Sequence, residues 1–160
     1  MEQIIQLNAN AKLSEHFSLG EFTKSNSHPE VYNIPSHEAI ANLKRLCVWL
    51  EALRARAASS DPSKGRGVPI IIKSGYRSPQ LNKRIGGVPT SNHLTGCAAD
   101  IRVENMEQLI RYAAILLDYA DESKQDFDEL LIEKNRYGAI WLHFAVCPRD
   151  NRHKVAFINA

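Results

Sequence analysis

Along residues 37–58 apolar side chains recur at three- and four-residue steps, with Ile40, Leu43, Leu46, Cys47, Leu50 and Leu53 forming one stripe. That spacing predicts a helix buried along one side, and Ser36 stands where its N-cap belongs. A shorter helix is predicted from SLGEF, where Ser18 and Glu21 have the spacing of a capping box. The pattern repeats in MEQLIRYAAILLDYA, an amphipathic helix carrying Leu109, Ile110, Ala113, Leu116 and Leu117. Elsewhere the period changes. VPIIIKS, bounded by Pro69 and Gly75, and CAADIRV read as short buried strands, while DELLIE and AIWLHFAV read as two strands joined by a KNRYG turn. SSDPSKGRG and RIGGVPTSNHLTG are rich in turn residues and read as loops. The order of elements predicts an α+β fold, helices packed on a small, mostly antiparallel sheet.

Composition narrows the picture. The 160 residues fit a single domain, 1–160, with 1–12 as an N-terminal extension and 147–160 as a C-terminal tail. The formal charge is +2, and basic residues are spread out, which argues against nucleic acid as a partner. No segment is apolar and long enough for a membrane span, and no signal peptide is visible. The expected location is therefore cytoplasmic until release or export by another route, and a monomer is expected. Three cysteines, Cys47, Cys97 and Cys147, form no CxxC pair and read as buried or unpaired thiols.

Candidate chemistry concentrates in three residues. His93 and Asp100 are seven residues apart across a loop-to-strand transition containing Gly96, and His143 lies among apolar residues in WLHFAV. Neighbouring strands would bring Asp100 and His143 to one cleft, where imidazole and carboxylate suit a zinc site with an open position. Spacing alone leaves the alternative open that His143 is a satisfied core histidine and Asp100 a turn residue.

The wording of the motifs adds to this. SGYRS, then SNHLTGCAADI and WLHF, resemble the zinc D-alanyl-D-alanine peptidases of the hedgehog/DD-peptidase superfamily. Ser91, His93, Gly96, Ala98 and Asp100 match every fixed position of Ser-x-His-x-x-Gly-x-Ala-x-Asp, and Trp141 and His143 match the later Trp-x-His element. LSEHFSLGEFTKS is similar to the start of the phage-endolysin-like branch, so the likeness runs from about Leu13 to Val146. It implies Zn²⁺ held by His93, Asp100 and His143, and hydrolysis of a D-amino-acid-containing amide bond in a peptidoglycan stem peptide.

One departure matters. Many such relatives place the general acid/base three residues before the last histidine, where this chain has Ile140. Glu133 is the substitute expected here. If the hairpin pairs Glu133 with Trp141, the two-residue side-chain period sets Glu133 and His143 on one face. Asp128 and Glu129 are expected to lie farther from the metal strand. Arg77 is expected to steady the developing charge or grip a substrate carboxylate, with Ser91 and Gln80 as further substrate contacts. The missing acid/base also leaves a second reading, a non-catalytic zinc-containing binding module.

Overall fold

In a computed structural model, which describes residues 8–25, 27–59 and 67–160, the chain is α+β. The first helix, α1 (Leu19–Thr23), starts at Ser18, whose backbone N–H and hydroxyl both donate to the Glu21 carboxylate, at 2.7 and 3.1 Å. Residues of the expected N-terminal extension pair with it: Leu19 N–H donates to Ala11 O, and Gly20 N–H to Ala9 O. The long helix α2 (His37–Ser59) begins as the cap signal predicts, Ser36 Oγ accepting from Ala39 N–H. The loop expected after it falls at 60–66, outside the described residues.

Then come β1 (Ile72–Ser74), α3 (Pro79–Arg84), a 3₁₀ turn over Asn92–Thr95, β2 (Ala98–Arg102) and α4 (Met106–Ser123). Three strands close the chain, β3 (Glu129–Lys134), β4 (Ile140–Ala145) and β5 (Lys154–Asn159). Two elements lie where none was expected. α3 is too short for a periodic stripe, and local chemistry sets it: Ser78 Oγ accepts from Leu81 N–H, and Pro79 begins the helix. β5 lies in the stretch expected as a tail.

Among the described residues the sheet has five strands in the order β1-β2-β4-β3-β5. Its pairs are antiparallel except β3 with β5, which run parallel, so the sheet is mixed. The hairpin has the expected register, Glu133 opposite Trp141 and Leu131 opposite His143. On β2, Asp100 lies directly opposite His143.

Alternation gives the sheet two unlike faces. Ala99, Ile101, Leu130, Leu142 and Phe144 point to the helices and join the core. That core centres on Trp49 of α2, whose ring meets Tyr119 at 4.9 Å, Phe144 at 5.3 Å and Phe127 at 6.3 Å. On α4, Leu109, Ala113 and Leu116 are buried as the stripe predicts, whereas Ile110 is exposed. Asp100, Glu129, Glu133 and His143 line a cleft on the opposite side. No helix among the described residues is long and apolar enough to cross a membrane.

Candidate metal centre

His93 reaches the cleft from the 3₁₀ turn. Ser91 caps that turn through its Oγ, which accepts from His93 N–H at 3.2 Å. The turn ends at Gly96, whose φ of 77° lies in the left-handed region, and a Cβ there would come within 2.5 Å of Ala39 O. The chain then enters β2 with Asp100 two residues into the strand.

The three expected groups converge. His93, Asp100 and His143 are buried, and each offers a ligand atom within 4.8 Å of the others. Asp100 Oδ1 is 3.3 Å from His93 Nε2 and 2.9 Å from His143 Nδ1. A tetrahedron with bonds of about 2.0–2.1 Å has corners roughly 3.3 Å apart, close to the two spacings that Asp100 makes. The outer contacts agree. His93 Nδ1 lies 2.7 Å from the Gly75 carbonyl, which takes the Nδ1 proton and leaves Nε2 as the donor atom. His143 Nε2 lies 3.0 Å from Glu129 Oε1, which leaves Nδ1 facing Asp100.

The charges are strongly coupled. Burial alone would raise the Asp100 carboxyl, but attraction to His93 and hydrogen bonds from both imidazoles hold it well below the usual carboxylate range. Burial alone would lower His143, yet its bonds to Asp100 and Glu129 push it up to about 10. A buried carboxylate between two imidazoles is a place that stabilises positive charge, as a divalent cation would supply.

Around this core lies a cleft of about 720 Å³. Glu133 lines it, and its carboxylate accepts from the Trp141 indole N–H. Burial, then the Asp100 charge, raises the Glu133 carboxyl above its ordinary value. Lys73 sits over the Trp141 ring, 3.7 Å from its centroid. Arg77 also lines the cleft, with Nη2 3.4 Å from Asp100 Oδ2 and Nε donating to Ser74 Oγ at 3.1 Å.

Two expectations, those for Glu129 and Gln80, need correction. Glu129, expected to lie farther off, touches His143, because its place two residues from Leu131 makes it a diagonal partner across the hairpin. Asp128 is held at the rim: Arg152 grips it through Nε at 3.0 Å and Nη2 at 2.8 Å, and Asn92 donates to it and to Glu129. Gln80 is exposed on α3 and does not line the cleft. The neighbouring Asn82 is the buried one, accepting from Arg77. Ile140 packs toward the core, so a carboxylate on that side would point away from the cleft.

The family model described as Peptidase M15 matches residues 15–118. The chain belongs to the M15 peptidases. This is the zinc D-Ala-D-Ala peptidase family, within the hedgehog/DD-peptidase superfamily. No curated protein gives a significant match. The matched span of the M15 domain holds Arg77, Ser91, His93 and Asp100 but stops before β3. Glu129, Glu133 and His143 therefore join the cluster through the sheet register, independently of the match.

Proposed function

We propose that this M15 peptidase binds Zn²⁺ through His93, Asp100 and His143 and hydrolyses a D-amino-acid-containing amide bond in peptidoglycan stem peptides. The observation that carries the proposal is the convergence of these three side chains on the face that also presents Glu133. When bound, zinc supplies Lewis acidity and brings the pKa of coordinated water to roughly 7. The chain's own groups do the rest. Glu133, buried enough to hold a proton more tightly than an ordinary carboxylate, takes one from the attacking water and passes it to the leaving amine. The Trp141 N–H keeps that carboxylate aimed into the cleft. Arg77, anchored by Ser74 and Asp100, presents a fixed guanidinium to the developing oxyanion or to a peptide carboxylate. Ser91 holds the turn that carries His93 and lines the substrate's path. The enzyme acts as a monomer on the bacterial wall after leaving the cytoplasm.

The test is a digest of purified peptidoglycan by zinc-loaded protein, with and without chelator, read by mass spectrometry. Zinc-dependent cleavage next to a D-residue is the expected result. Bound zinc with no product from any stem peptide would instead favour the zinc-containing binding module, the reading left open by Ile140.

A further inference from the structure

Three cysteines fall at unlike places in the fold. Cys47 is fully buried in α2, and burial pushes its thiol up to about 12. Cys97 and Cys147 lie together at the ends of the two strands that carry Asp100 and His143. The β2–β4 ladder reaches Ala98 opposite Ala145, and Val146 N–H extends it by donating to Cys97 O at 2.9 Å. Cys147 is the next residue. Both cysteines are tied to Asn92: Cys97 N–H donates to its backbone oxygen at 3.0 Å, and the Cys147 thiol reaches its Oδ1 at 3.5 Å. The two thiols act on each other's acidity, Cys147 lowering Cys97 and Cys97 raising Cys147. Cys97 is thus opposite Val146, and Cys147 follows one residue past the ladder, held beside Cys97 by their shared neighbour Asn92; bridged cysteines have Cα atoms roughly 4.4–6.8 Å apart.

We infer that Cys97 and Cys147 form an oxidisable dithiol that closes to a disulfide, joining the ends of β2 and β4, when the protein meets a small disulfide such as oxidised glutathione. Access sets the order of events, since Cys147 is half-buried while Cys97 is 1% exposed. Cys147 gives up its proton, and its sulfur attacks one sulfur of the oxidant. The oxidant's S–S bond breaks, and a glutathione thiolate leaves with the electron pair and takes up a proton. Cys97, as thiolate, then attacks the Cys147 sulfur, and a second glutathione leaves and is protonated in the same way. Two protein thiols lose two electrons in all, and one glutathione disulfide becomes two thiols. In the reduced pair the contact favours the Cys97 thiolate, bringing it down to about 7, and raises the Cys147 thiol, so exposure and not acidity makes Cys147 the first to react.

The full-length protein is incubated with oxidised glutathione, alkylated, digested without reduction and read by mass spectrometry. The expected product is a peptide pair joined through Cys97 and Cys147, with Cys47 alkylated only after denaturation. Cys97→Ser should stop at a glutathione adduct on Cys147, and Cys147→Ser should leave Cys97 free. The oxidised wild-type protein should unfold at a higher urea concentration than the reduced one. A wild-type protein that stops at the Cys147 adduct overturns the inference, as does a cross-link that forms only in urea. So does an oxidised protein that unfolds at lower urea than the reduced form.

Discussion

The two faces of one sheet share a backbone and differ in nearly everything else. Toward the helices, Ala99, Ile101, Leu130, Leu142 and Phe144 meet Trp49 and Phe127 in an apolar core. Toward the cleft, with each strand advanced by one residue, stand Asp100, Glu129, Glu133 and His143. The first face is stabilised by area removed from water, and any side chain of suitable volume serves it. The second places buried charges against one another and is stable only when each has its partner. Every buried side-chain nitrogen and oxygen among the described residues has one. Rigidity comes from the first face and chemistry from the second, and a two-residue period is enough to keep them apart.

The largest effect should come from breaking the polar face at its centre. His143→Ala should leave the protein folded but without zinc by metal analysis, and reduce peptide cleavage to background. Glu133→Gln separates chemistry from metal binding: cleavage should fall about 10²- to 10⁴-fold with zinc content unchanged. Cleavage at the wild-type rate would remove Glu133 from the mechanism. On the apolar face the cost should appear as stability. Phe144→Ala should lower the unfolding free energy by about 3–5 kcal/mol in urea titrations. Glu129→Gln sharpens the contrast, since it weakens the support of His143 without removing a ligand; zinc affinity, measured by competition with a chelator, should drop about 10- to 100-fold.

The smallest effect concerns the rim. The Arg152 hydrogen bonds hold Asp128 down at about 2, below its ordinary value of 3.8. The unfolded chain therefore binds this proton more readily than the folded one. The stability contributed by Asp128 is complete above its ordinary value and is lost as pH falls through about 2. Asp128→Asn should flatten that part of a plot of urea midpoint against pH, and an unchanged slope would show that the pair contributes nothing.

Much of this contrast is legible in the sequence. DELLIE and AIWLHFAV are short apolar runs flanking a KNRYG turn, and pairing Glu133 with Trp141 across that turn sets Glu133 and His143 on one face from the sequence alone. Glu129 is less legible because it stands four residues along the strand from Glu133, while the register makes residues 129 and 133 equal diagonal neighbours of His143. β5 was hidden for another reason. Its Val155 and Phe157 face solvent while Ile158 is only half-buried, so alternation marks no core side, and parallel pairing with β3 leaves no hairpin turn to find. α3 depends on a cap and a proline and is too short for a stripe. The pairing of Cys97 with Cys147 joins residues fifty apart, a closeness that only the β2–β4 ladder creates.

The Gly75 carbonyl, which fixes the His93 ring, belongs to a residue with no room for a side chain. A Cβ there would come within 2.7 Å of the Phe22 backbone, whose oxygen also accepts from Tyr76 N–H. The small helix near the start of the chain is thus the wall that the imidazole's anchor leans on. Damage to that wall, far along the sequence from any ligand, would be felt as a loosened grip on the ion, and a survey scored only by growth or cleavage would mistake it for a catalytic lesion.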